Sequence, residues 1–240
     1  MSQSRKILKA TSTVRCAVCN IDEPSGAKLQ RCAGCMITYY CSKEHQMAHW
    51  KDGHKKECKE LSKSKAIRGV FDKAFDLMLK RKLSSFKALV SATPEVVNHQ
   101  ADDYANQTLL FASIDIKLPN WCEFILTLEG VNVNLQSKRG MTPIHMAIER
   151  NLRSVVEMLV QREDIEINKA NRELITPLHF AAHFGDTEIT KFIVDTPGCK
   201  LNEKDQRGYT PLRIATNNGN LEVVELLKSR NCTLDDETTP

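Results

Sequence analysis

Four stretches of the chain carry one hydrophobic pattern at a fixed interval. Trp121-Cys122-x-Phe124-Ile125 aligns with Val155-Val156-x-Met158-Leu159, Ile189-Thr190-x-Phe192-Ile193 and Val223-Val224-x-Leu226-Leu227, each 34 residues after the last. Positions i, i+1, i+3 and i+4 lie on one side of an α-helix, so each stretch predicts a helix with one buried stripe. A second helix start precedes each of them. Thr108, Thr142, Thr176 and Thr210 keep the 34-residue interval, and proline follows the last three. A threonine N-cap accepts a bond from a free N–H of the first turn, and proline at N1 lacks only an N–H that has no partner anyway. Five residues after each threonine, Ser113, Ala147, Ala181 and Ala215 are small enough to let helices approach closely. Asn151, Gly185 and Gly219 fall between the paired helices and are residue types that accept the left-handed conformation ending a helix. Lys117 takes that place in the first unit, which also lacks the proline, so that unit is degenerate.

Helix pairs repeating at such a period stack on one another, because no single pair can bury its apolar face. Asn134, Asn168 and Asn202 share the interval, and Asn98 precedes Asn134 by 36 residues. That off-register echo predicts a capping helix pair or degenerate repeat over 68–100. The series Thr142-Pro-Ile-His, Thr176-Pro-Leu-His and Thr210-Pro-Leu-Arg resembles ankyrin repeats. On that resemblance the units are 101–137 (degenerate), 138–171, 172–205 and 206–235, with a tail over 236–240. It implies hydrogen bonding between loops for His145 and His179, and a second protein partner at the loop tips and concave helix face. The tips include Lys138, Arg139, Asn171, Arg172, Gln206 and Arg207, whose basic tilt hints at an acidic partner. His179-Phe180-Ala181-Ala182-His183 has the spacing of a zinc-protease helix, but Phe180 stands where the general-base glutamate belongs. Cys122 falls in the core stripe, and the scattered Cys199 and Cys232 read as free thiols.

The first quarter of the chain lacks this pattern and has few large apolar residues. It has instead the ligand string Cys16-x2-Cys19-x12-Cys32-x2-Cys35-x5-Cys41-x3-His45-x8-His54-x3-Cys58. A CxxC knuckle brings two sulfurs to one ion, and a three-residue gap on a helix places both donors on one face. Four such pairs suit two tetrahedral Zn²⁺ sites. Metal then supplies folding energy that the small core cannot, on the order of 10 kcal/mol per site. A disulfide framework and a thioredoxin-like CxxC are the rivals; a reducing compartment disfavours the first and the missing βαβ context the second.

Tyr40-Cys41-Ser42-Lys43-Glu44-His45-Gln46 with His49-Trp50, His54 and Cys58 resembles the MYND zinc finger over residues 16–58. The resemblance implies that Cys16, Cys19, Cys41 and His45 share one zinc, and that Cys32, Cys35, His54 and Cys58 share the other. His45 stands where the family usually has cysteine, but imidazole is also a normal zinc ligand. His49 fits less well as a substitute and reads as a helix-surface residue. The family binds proline-rich peptides, and the matching positions are Gln46 and Trp50, four residues apart on one helix face. Indole offers a platform for proline rings, and Trp50 also serves to cover the small core. Ala33 replaces a serine that contributes in some relatives. The expected architecture is mainly α: a flexible N-terminus over 1–15, a small cross-braced two-zinc finger over 16–58, a basic linker over 59–67, then an ankyrin-repeat α-solenoid.

Charge sharpens this division. Residues 1–65 hold 13 Lys/Arg against 6 Asp/Glu, and residues 66–240 hold 21 against 24, within a net charge of +4. Thiolates and zinc trim the basic surplus of the first segment. Lys51, Lys55, Lys56, Lys59, Lys63 and Lys65 could contact nucleic acid, but Glu57 and Glu60 interrupt them and no aromatic or arginine pattern accompanies them. A solvated helix face is the better reading. No apolar run spans a bilayer, and MSQSRKILKA lacks the apolar core of a secretory signal, so a cytoplasmic or nuclear chain without membrane insertion is expected. Among function classes, an enzyme lacks support. There is no phosphate-cradling loop, no nucleophile–base arrangement and no zinc site with an open position. A non-enzymatic adaptor joining two protein partners is the expectation, with a nucleic-acid-associated regulator as the alternative.

Overall fold

In this computed structural model, residues 30–31, 39–40, 43–49, 54–101 and 107–234 are described. The chain divides into two units, Met1–Ile67 and Arg68–Pro240. In the first, two-residue strands β1 (Gln30–Arg31) and β2 (Tyr39–Tyr40) pair antiparallel, with Gln30 opposite Tyr40 and Arg31 opposite Tyr39. Helix α1 (Lys43–His49) follows. Helix α2 (Lys55–Leu79) includes all of residues 59–67, so the segment read as a linker is helical. Residues 55–66 contain neither glycine nor proline and are rich in lysine, with two glutamates, residue types that favour helix without an apolar period to announce it.

The second unit continues with α3 (Leu83–Ala92) and a 3₁₀ turn, Pro94–Val96. The described residues then form the helix pairs α4 (Leu109–Asp115) and α5 (Pro119–Leu126), α6 (Pro143–Glu149) and α7 (Arg153–Val160), α8 (Pro177–Phe184) and α9 (Thr187–Val194), and α10 (Pro211–Asn217) and α11 (Leu221–Ser229). They stack in two rows: α6 packs on α4 and α8, and α8 on α10, while α7 packs on α5 and α9, and α9 on α11. Every first helix opens on its threonine. Thr108 accepts from the Phe111 N–H and Thr210 from the Arg213 N–H, both at 3.3 Å. Thr142 and Thr176 form capping boxes with His145 and His179 at the third helical position.

The joint between paired helices is left-handed in all four units: Lys117 at φ 54°, Asn151 at 55°, Gly185 at 78° and Gly219 at 72°. Lys117 thus adopts the same turn without a favourable residue type, at a cost of about 1 kcal/mol. Ser113, Ala147, Ala181 and Ala215 are completely buried where neighbouring helices meet. The Ser113 hydroxyl donates to the Leu110 carbonyl at 2.8 Å and lies 3.2 Å from Cys122 Sγ, so its burial leaves no unmet polar group. In each second helix the i, i+1 and i+4 residues of the stripe are buried. The i+3 residues, Phe124, Met158, Phe192 and Leu226, are only half-buried, which narrows the stripe expected from the sequence.

The asparagine series joins successive units. Asn134 donates to the Asp164 carbonyl at 2.6 Å and accepts from the Glu166 N–H at 2.9 Å. Asn168 repeats this with Gly198 (2.7 Å) and Lys200 (2.8 Å). Asn98 does the same with Gly130 and Asn132, both at 2.8 Å, and Asn202 accepts from the Thr233 N–H at 2.9 Å. Asn98 therefore occupies the asparagine place of a preceding unit, despite its 36-residue offset. Phe86 of α3 packs on Trp121 at 4.6 Å and Phe124 at 6.1 Å between ring centroids, covering the open side of α5.

Candidate functional site

In the first unit, the candidate ligands Cys16, Cys19, Cys32, Cys35 and Cys41 lie outside the described residues, as do Ala33, Lys51 and the peptide-contact candidate Trp50. His45 lies in α1. His54 and Cys58, one helical turn apart, are both buried, at 1% and 4% exposure. A buried imidazole and a buried thiol on one helix face fit half of a tetrahedral zinc site. The structure also places His49, read as a surface residue, beside His54. It is half-buried, with its ring stacked on that of His54 at 4.9 Å and 18°. Donor atoms of His49, His54 and Glu57 lie within 4.8 Å of one another. Gln46, on α1, is half-buried. On α2, Lys55, Lys56, Lys59, Lys63 and Lys65 are exposed, with exposed Glu57 and Glu60 between them, as a solvated face requires.

In the second unit, the histidines work as scaffold. His145 Nδ1 accepts from the Thr142 N–H at 3.2 Å, and Nε2 donates to the Ile175 carbonyl at 3.1 Å, one repeat away. His179 makes the same pair of bonds to Thr176 (3.1 Å) and Tyr209 (3.0 Å). Both rings are wholly buried. Burial pushes His145 down to about 4, against the pull of its bond to Ile175, and lowers His179 as well. His183 does not join His179 in a metal site, because it is exposed and meets the Asn218 amide at 3.0 Å. Burial also raises the Cys122, Cys199 and Cys232 thiols to about 11, so none is an activated nucleophile.

The loop tips share a second register. Asp205 Oδ1 accepts from the N–H groups of Arg207 and Tyr209, both at 2.9 Å. Asn171 Oδ1 does the same for Glu173 (2.8 Å) and Ile175 (3.0 Å). Burial would raise the Asp205 pKa, but the Tyr209 N–H and Arg207 together hold it below the usual carboxylate range. The Gln206 amide donates to the Arg172 carbonyl at 2.8 Å. Of the six tip residues singled out in the sequence, Asn171 and Gln206 thus spend their amides on the loops. Lys138, Arg139, Arg172 and Arg207 are exposed.

Sequence reasoning missed what lies beside those tips. A cavity of about 280 Å³ opens on the row of first helices, floored by Met141, Ile175, Phe180, Phe184 and Ile214. Arg139 and Arg207 stand on its loop-tip side, and Glu149 lines it too. The available signal was Phe180 and Phe184, four residues apart on α8 with rings 6.0 Å apart.

Comparison with known proteins bears on both units. The MYND finger model matches residues 11–58, the ankyrin repeat model residues 139–172, and a three-copy ankyrin repeat model residues 166–238. The chain carries a MYND zinc finger followed by ankyrin repeats. A curated relative, the SET domain and MYND-type zinc finger protein 6 of Schizosaccharomyces pombe, is 46% identical over 56 residues. That match covers 23% of this chain and 11% of the relative. A MYND finger is a zinc-binding module, and both kinds of domain are protein-interaction modules. Among the described residues no helix is long and apolar enough to cross a membrane.

Proposed function

We propose that the chain is a non-enzymatic adaptor of the cytoplasm, the nucleus or both, its finger holding a proline-rich peptide while its repeats hold a second protein. Two zinc ions fold the finger: Cys16, Cys19, Cys41 and His45 hold one, and Cys32, Cys35, His54 and Cys58 hold the other. Each set uses all four tetrahedral positions, so zinc supplies structure here and no site for a reactive water. Gln46 and Trp50 form the peptide platform, the indole stacking on proline rings and the amide holding peptide backbone. The observation that carries the adaptor reading is how the repeat unit spends its polar side chains. His145, His179, Asn134 and Asn168 are consumed by bonds between repeats, while a cavity with an apolar floor and a basic tip row stay open to a partner. Joining two binding modules in one chain raises the effective concentration of one partner near the other without catalysis.

Trp50→Ala tests the finger. A proline-rich peptide is expected to lose at least tenfold in affinity, while native mass spectrometry still finds two zinc ions per chain. Unchanged affinity removes the platform, and any other zinc count removes the paired sites.

A further inference from the structure

We infer that the cavity on the first-helix row receives an acidic peptide with a single aromatic or leucine anchor, clamped at the tips by Leu174 and the arginines. The inference rests on the repeat unit being a protein-binding surface and adds the chemistry of its partner. Three observations carry it, beginning with the floor. Phe184 is 47% exposed beside the half-buried Phe180, and the volume suits one anchoring side chain and not a whole small molecule. Exposed aromatic surface ringed by polar groups is the usual form of an anchor pocket.

Charge gives the second observation. Arg139 and Arg207 stand together on the loop-tip side of the cavity, with Lys138 and Arg172 exposed on the same tips. Arg207 is held by buried Asp205 at 3.1 Å and lies over the Tyr209 ring at 5.0 Å, so its guanidinium is already positioned. Glu149 lines the cavity from the helix α6 side, which orients the peptide with its acidic residues toward the tips.

Leu174 supplies the third. Positions 140, 174 and 208 are equivalent tips at 34-residue spacing, and all three are left-handed: Gly140 at φ 77°, Leu174 at 58° and Gly208 at 80°. A Cβ on Gly140 would come within 2.7 Å of the Arg172 backbone nitrogen, so glycine is required there. At 174 a bulky side chain is tolerated, but in a strained conformation and 53% exposed, where it adds nothing to the core. The Asn171 clamp on both flanking N–H groups holds it in place. Leu174 directly precedes Ile175 of the cavity floor in the chain, so this exposed, strained apolar side chain forms a second contact for the same ligand.

The test selects random dodecapeptides displayed on phage against the zinc-loaded full chain, with counter-selection on Phe184→Asp. Surviving peptides are expected to place a phenylalanine, tryptophan or leucine among glutamates and aspartates. Their affinity should fall at least tenfold in Phe184→Asp and in the double variant Arg139→Glu/Arg207→Glu, and should weaken with added salt. Leu174→Gly is expected to lower affinity several-fold while raising Tm, a combination that a purely structural residue does not give. Trp50→Ala should leave these peptides bound, which keeps this site separate from the finger. A variant-sensitive consensus without acidic residues overturns the inference but leaves a protein-binding repeat surface. No variant-sensitive peptide at all, or displacement of the peptide by a single-stranded oligonucleotide, overturns the site itself.

Discussion

His145 shows how much one side chain carries in this stack. Its Nδ1 accepts from the Thr142 N–H and its Nε2 donates to the Ile175 carbonyl, so the ring is neutral with its proton on Nε2. A second proton would sit on Nδ1 and break the cap. Burial accordingly holds the ring at about 4, against 6.5 for the unfolded chain. The unfolded state therefore binds the proton first as pH falls. Stability is intact above about pH 6.5 and is lost progressively down to about pH 4, by on the order of 3 kcal/mol. His179, shifted the same way, adds to the slope. Urea midpoints between pH 7 and pH 4.5 should fall for the wild type and fall less for His145→Phe, which copies Phe111 at the equivalent place of the first unit. An equal fall in both would mean that other groups set the acid lability. The sequence placed both histidines in a repeat motif, but the carbonyls that they reach belong to the next loop and became visible only in the fold.

At the scale of elements, the asparagines tie loop to loop. Asn168 makes two bonds into the following repeat, whereas Asn202 makes one, to the Thr233 N–H. A bond from a side-chain amide to the backbone contributes roughly 1 kcal/mol at most where water can replace it. Asn168→Ala is expected to cost up to about 2 kcal/mol and Asn202→Ala about half of that, read from denaturant midpoints. Equal losses would mean that the ladder contributes only local turn geometry. Helix register, N-caps and left-handed joints were all legible beforehand, because they depend on residues within one repeat. Residues 59–67 were legible only in part: their lysines read as a solvated helix face, but without an apolar period the sequence did not show one helix running from Lys55 to Leu79. The half-buried i+3 positions also escaped notice, because how wide a helix face is covered depends on the neighbouring helices.

At the scale of the repeat unit, stacked repeats leave an open apolar face at each end, and a cap must cover it. Phe86, fully buried against Trp121, does so on the α5 side. Phe86→Ala should cost about 3–4 kcal/mol. Tryptophan emission should shift to the red as Trp121 meets water, and an unshifted spectrum would place the covering surface elsewhere. The chain absorbs the two-residue offset of Asn98 by bonding two residues further along, to Gly130 and Asn132.

The sequence by itself determined the two modules and the repeat register, because both rest on short spacings that any fold of these segments has to keep. Tertiary structure decided what the repeats leave open. The cavity between Phe184, Ile214 and the arginines draws on residues from Arg139 to Ile214, and no local pattern states how far apart those side chains come to lie. The same holds for Leu174: in the sequence it is an ordinary leucine, and only the backbone angle of its turn shows it standing strained and exposed.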